Sequence, residues 1–549
     1  MDNFRRNNPN QRRPSRGIDG FITGPTPVKK VPGVGNQSRN LASGKIGNFN
    51  SVDGFRPSGR NPLYKQPANN LGRQPRRDHT GRIDLNLPEA TPHKRKHPKQ
   101  WRKVALKFSS ILVILTIVLT GYLLGKGYLK ARQIFKGGGG AAALQENVDP
   151  SKLRGEGDGR VNVLMLGKGG EGHEGADLTD TLVIASINPV QKEAALLSLP
   201  RDLYVKTPDG HTKINAVYAN AKNASLAKTS TRDSSRAQKA EEAGIKAVED
   251  VIQQKIGIPI HYNIMVDFAG FKEAINTVGG VEVNVPKELT VSEHMMIAGY
   301  GPYYLNVGTG QQQFDGHRAL AFARSRQTSA RGAFDRSQRQ RMILLALKDK
   351  VISAGTYGNP FKINQLLNNF GKHVEANMTT DEVMRLYDIG KEINSSSIAS
   401  VDLVTAPNNY LTTANIGGLS VVIPKAGIDN YSEVQNFIRN RLKDGFIAQE
   451  NATIMVLNGT NISGLAGRTA TDLKSYGYNI SQTADAPTKG YGQTIIVDMR
   501  NGAKKYTRHY LEGRFSVSAV NSLPDKSIVP GNADFVIIMG QNEVSRLDR

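Results

Sequence analysis

The chain has 549 residues, with 72 Lys+Arg against 48 Asp+Glu for a net charge of +24 and a hydrophobic content of 38%. That length accommodates three or four units of ordinary size, and residues 1–100 alone carry a net +14, so the remainder is only mildly basic. Cysteine is absent, which excludes disulfides, thiolate metal centres and a cysteine nucleophile.

Residues 1–104 are rich in Asn, Gly, Pro and Arg without a sustained apolar period. Such a segment cannot bury enough surface to offset chain entropy, so a disordered basic tail is predicted. It shows no recognition motif, and no specific nucleic-acid partner is expected. Phe108 to Gly125 runs for eighteen residues without a charge, which predicts one transmembrane helix over 105–126. No clean small-residue cleavage site follows, which favours a signal-anchor over a cleaved leader. Seven basic residues between Lys94 and Lys107 precede the span and four follow it. This bias places the tail in the cytoplasm and everything after the span outside. Residues 127–159, with GGGGAAA at Gly137, read as a linker.

From 160 to 445 the pattern predicts a layered α/β/α domain with a mixed central sheet. VNVLML from Val161, TLVIASI from Thr181 and AALLSL from Ala194 are apolar runs of strand length. A polar insertion is read at Lys222 to Arg236, then a helix, then the strand HYNIMVDF and the helix FKEAINTVGG. GHRALAFA reads as helical, as does the segment after Asp335, and Asn364 to Asn394 is predicted helical. Residues 450–542 read as a small C-terminal α/β domain without a catalytic set.

Three stretches carry candidate chemistry. Arg324 to Arg341 holds six arginines and one acid, Asp335. Guanidinium forks match phosphate oxygens two at a time. Arg336, Arg339 and Gln340 fall on one face at the start of a helix, where anions are favoured. The loop Gly167 to Thr181 satisfies G-x-G-x-x-G, but no helix opens on its third glycine, against a dinucleotide fold. It offers instead Glu171, His173, Glu174, Asp177 and Asp180, ligands suited to Mg²⁺, with Mn²⁺ possible. SLPRD, Ser198 to Asp202, places Arg201 at a strand end, and KINA supplies Lys213 and Asn215. A solvated basic surface and a mobile acidic loop are the bland alternatives.

In this order LTDT (Leu178 to Thr181), SLPRD, KINA, GGVEVNVP (Gly279 to Pro286), DGHRALAFARSR (Asp315 to Arg326) and FDRSQRQ (Phe334 to Gln340) resemble the LytR-CpsA-Psr family of bacterial wall enzymes. VLNGTNISGLAG, Val456 to Gly467, resembles the LytR C-terminal domain. The resemblance implies a membrane-anchored, Mg²⁺-dependent phosphotransferase of cell wall biogenesis. It would move a glycopolymer from a polyprenyl pyrophosphate carrier onto peptidoglycan. By position, Arg201, Arg324, Arg326, Arg336 and Gln340 would hold the pyrophosphate with support from Lys213, and Asp180 would be a metal ligand or base. Two departures stand out: the family's first acidic metal residue is Gly169 here, and the arginine of its R-T-D-T is Leu178. Asp177, Glu171 or Glu174 is expected to replace the missing carboxylate. An apolar slot for the lipid is expected among Phe268, Phe271, Val283, Leu320, Phe322 and Ile343. A polyprenyl-pyrophosphate hydrolase and a non-catalytic protein binding wall polymer or lipid remain the alternatives.

Overall fold

Alternation along Val161–Lys168 (β1) builds the layers. Leu164 and Leu166 join one buried cluster while Val161 and Val163 join another, because successive strand side chains point to opposite faces. Thr179–Asn188 (β2) runs antiparallel to β1, and Glu193–Ser198 (β3) antiparallel to β2. Ile214–Lys228 (α1) and Arg236–Ile256 (α2) cover the Leu164 face through Ile214, Val217, Val248 and Ile252. Gly257, at φ +78°, ends α2 in the left-handed region that a side chain disfavours.

Tyr262–Asp267 (β4) lies parallel to β1, and Asp267 then caps Phe268–Thr277 (α3) by accepting from the Gly270 amide. Asp315 caps Gly316–Arg324 (α4) in the same way, and Ala333–Ser353 (α5) follows. Val374–Ala376 (β5) pairs antiparallel with β4, and Ile398–Val401 (β6) parallel with β3. The sheet order is β5-β4-β1-β2-β3-β6, a mixed α/β sheet as expected. Thr380–Glu392 (α6) packs on the Val161 face through Ile389.

Thr453–Asn458 (β7), Asn479–Asp485 (β8), Ile495–Asp498 (β9) and Phe535–Met539 (β10) form a second sheet, ordered β8-β7-β10-β9. Leu465–Ser475 (α7) and Lys505–Phe515 (α8) flank it. Its Ile454, Leu465, Phe515 and Phe535 share one buried cluster with Val161, Val163 and Tyr262. The C-terminal domain is therefore docked against the first sheet.

The computed structural model describes residues 134–544, without 298–300, 327–330, 354–370, 372 and 405–406. The predicted tail and membrane span lie outside the described residues; among those described, no helix is long and apolar enough to cross a membrane. Three expectations are corrected. The linker is packed from Ile134 onward, with Ile134, Leu144, Val148 and Leu153 all buried. Gly139 is there for close approach, since a Cβ would meet the Tyr262 ring at 2.6 Å and the His261 carbonyl at 2.7 Å. The polar insertion at Lys222 is the end of α1, which runs to Lys228. The described part of 364–394 contains β5 before its helix.

Candidate functional site

Asp180, at the start of β2, is the hub of a polar cluster. Nη1 of Arg201, just past the end of β3, donates to Asp180 Oδ2 at 2.9 Å. Nδ2 of Asn215, in the first turn of α1, donates to Asp180 Oδ1 at 3.0 Å. Arg336, in the first turn of α5, sets Nη2 3.9 Å from Asp180 Oδ2 and donates to the Asp180 carbonyl at 3.4 Å. One turn on, Gln340 donates to Thr181 Oγ1 at 3.0 Å. Lys213 joins through Asp202, its Nζ 2.7 Å from Oδ1, while Arg201 Nε lies 3.7 Å from Asp202 Oδ2. Residues far apart in sequence thus meet where β2 begins and β3 ends.

Arg324, at the end of α4, lies over the Phe268 ring with its guanidinium carbon 4.2 Å from the centroid. Arg324, Arg336 and Gln340 border a cavity of about 270 Å³ whose walls include Phe268, Phe271, Leu320, Leu344 and Leu347. Such a slot, apolar within and polar at one side, suits an amphiphile. Phe268, Phe271 and Leu320 therefore stand where an apolar slot was expected, whereas Val283, Phe322 and Ile343 are buried in the cluster beneath. Arg326 is half-buried in the segment after α4. A larger cavity of about 950 Å³ lies between the hairpin at 204–213 and helices α1 and α2, and no arginine lines it.

Several arginines of the 324–341 run do other work. Arg339 is fully buried and donates to the carbonyls of Leu289 and Ser325, so it braces α5 and does not face the cluster. Arg331 pairs with the buried Asp335 at 2.8 Å. Arg341, which the sequence did not single out, is buried and donates to Ser198 Oγ at 3.1 Å, fixing the turn that carries Arg201. A basic residue beside Gln340 was visible, but not the hydroxyl it would meet.

The expected carboxylate set is not assembled. Asp177 Oδ1 lies 2.9 Å from Lys222 Nζ and 3.4 Å from Lys168 Nζ. Burial raises the Asp177 pKa, but the two lysines outweigh it and hold the carboxyl below its ordinary value. Glu171 and Glu174 are exposed. Among the described residues, no three His, Cys, Asp or Glu side chains are grouped to hold an ion. A Cβ at Gly169 would sit 3.0 Å from that of His173, so the loop has closed over the position of the absent acid. Arranged in this way, these donors do not fit a protein-borne Mg²⁺ site. His173 instead packs perpendicular to the Phe268 ring, centroids 4.9 Å apart. Burial, then the charges of Arg324 and Lys272, push its pKa below the usual imidazole value.

The chain is similar to several known proteins. The LcpA cell wall biosynthesis protein of Corynebacterium glutamicum is 27% identical over 462 residues, 77% of this chain and 84% of that one. The Bacillus subtilis polyisoprenyl-teichoic acid–peptidoglycan teichoic acid transferase TagV is 33% identical over 244 residues, 42% of this chain and 54% of that one. The crystal structure of B. subtilis TagV covers 52% of this chain and 97% of its own, at 27% identity and a TM-score of 0.39. The model of the LytR cell envelope-related transcriptional attenuator matches residues 451–542. The LytR_cpsA_psr family model matches residues 127–435, more than half of the sequence, and the chain belongs to that family.

Proposed function

We propose that the chain is a phosphotransferase that moves a glycopolymer from a polyprenyl diphosphate carrier onto peptidoglycan in cell wall assembly. One observation carries the reading: Arg324 and Arg336 border an apolar cavity, and Arg201 and Arg336 converge on Asp180 beside it. A lipid diphosphate needs both parts, a greasy slot and cations beside it. Phosphoryl transfer asks a protein mainly for positioning and for cancellation of developing charge. Guanidinium groups fixed by Asp180 and by the Phe268 ring do both without reorganising. Arg326 and Lys213 complete the diphosphate contacts in this reading. The activity that the name of TagV states, transfer of teichoic acid from a polyisoprenyl carrier to peptidoglycan, supports the same class of substrate. Membrane attachment by residues 105–126, with the described domains outside the cell, would keep the enzyme where its lipid substrate resides.

The test is incubation of the full chain with a radiolabelled polyprenyl-diphosphate-linked glycan, with and without peptidoglycan. Label entering peptidoglycan, and lipid phosphate released only when peptidoglycan is present, is the expected result. Release to water at the same rate without acceptor would identify a hydrolase. Binding without release would identify a non-catalytic carrier protein.

A further inference from the structure

Attack of a hydroxyl on phosphorus releases a proton, and the cluster around Asp180 is poorly placed to take it. Both Asp180 oxygens already accept hydrogen bonds, from Arg201 and from Asn215, so neither is left unengaged toward an incoming hydroxyl. Another acid–base pair reaches the same cavity through Asp267. Asp267, which lines that cavity, spends Oδ1 on the Gly270 amide at 2.8 Å, and its Oδ2 lies 2.7 Å from Nδ1 of His373. The register puts both acids at one end of the sheet: Lys168 is opposite Asp267 and Gly167 is opposite Thr181. Packing holds the pair in place, since a Cβ on Gly270 would come within 2.8 Å of the His373 carbonyl. Tying Nδ1 to a carboxylate fixes the ring and its tautomer and leaves Nε2 as the acceptor. The His373 side chain is 38% exposed, so the ring is not sealed in the core. His173, another imidazole nearby, is engaged with the Phe268 ring.

We propose that His373, oriented by Asp267, is the proton acceptor for the attacking hydroxyl, an assignment that rests on the phosphotransferase reading. The hydroxyl oxygen bonds to the phosphorus that bears the glycan, and its proton passes to Nε2 of His373. The bond from that phosphorus to the bridging oxygen breaks, and polyprenyl monophosphate leaves with the electron pair.

The experiment uses the full chain in nanodiscs, a polyprenyl-diphosphate-linked disaccharide as donor and soluble peptidoglycan fragments as acceptor. His373→Ala and His373→Asn are measured for thermal melting, donor affinity and transfer rate, with and without added imidazole. Melting and donor affinity are expected to stay at wild-type values. Transfer should fall about 10²- to 10⁴-fold, and imidazole should restore part of it in His373→Ala while leaving the wild type unchanged. Transfer by His373→Ala at the wild-type rate overturns the proposal, as does a loss that imidazole cannot rescue. A wild-type chain that neither binds the donor nor transfers it would instead overturn the phosphotransferase reading.

Discussion

Asp444 offers a direct way to measure how firmly the two sheets are joined. Its Oδ1 accepts from the amides of Phe446 at 2.9 Å and Ile447 at 3.2 Å. Its Oδ2 accepts from Gly157 at 2.9 Å, from Gly159 at 2.8 Å and from the Tyr510 hydroxyl on α8 at 3.1 Å. The side chain thus links the entry to β1, the helix Gly445–Glu450 and the C-terminal domain, and the residue is only 2% exposed. Asp444→Asn keeps the shape but replaces one acceptor by an NH₂ group facing two amide donors. Flipping the amide moves the same conflict to Phe446 and Ile447. The Tyr510 hydroxyl can rotate; the two backbone amides cannot. At about 1–3 kcal/mol for each buried donor left unsatisfied, local opening becomes easier by about 3–4 kcal/mol. With a factor of ten per 1.4 kcal/mol, amide exchange in residues 154–160 and 444–450 should accelerate by about 10²- to 10³-fold. Hydrogen exchange followed by mass spectrometry reads this directly. Exchange within about threefold of wild type in both segments would show that Asp444 does not hold the junction.

Two further outcomes follow from the site. Leu344→Trp fills the cavity wall, so affinity for a polyprenyl diphosphate should drop by tenfold or more (about 1.4 kcal/mol), while affinity for inorganic diphosphate stays unchanged in equilibrium titrations. The Asp177 carboxyl, held below its ordinary value, lends the loop at 169–178 stability that is present above the unfolded carboxylate range. That stability is lost as pH falls through the lower folded value. Exchange in this loop should therefore stay slow at mildly acidic pH and rise only below about pH 4, whereas in Lys222→Met the rise should begin at higher pH.

The strands were legible because their chemistry is local. β1, β2 and β3 are unbroken apolar runs, and alternation along β1 divides its two faces. The convergence of Arg201, Arg336 and Gln340 on Asp180 and Thr181 was legible only through ordered motifs, since these residues lie on separate elements. What stayed hidden depended on partners distant in the chain. Arg336 and Arg339 lie three residues apart, yet one meets Asp180 and the other is sealed beneath the carbonyls of Leu289 and Ser325. Asp177 read as a metal ligand because its loop is acidic, but Lys222 on α1 and Lys168 on β1 reach it in the fold. The GGGG segment read as a linker by composition, and its Gly139 is small because Tyr262 is close. Asp267 and His373 are 106 positions apart, and only the β4–β5 pairing brings them together.

The proposed transfer depends on one arrangement, a diphosphate held by guanidinium groups with its lipid in the adjoining cavity. A structure of the chain bound to a polyprenyl diphosphate tests it most directly. The head group should lie about 3 Å from guanidinium nitrogens of Arg201, Arg324 and Arg336, with the first isoprene units between Phe268 and Leu347. A head group bound instead in the larger cavity beside Lys206 and Lys228, or a lipid chain outside the Phe268–Leu347 slot, would contradict it.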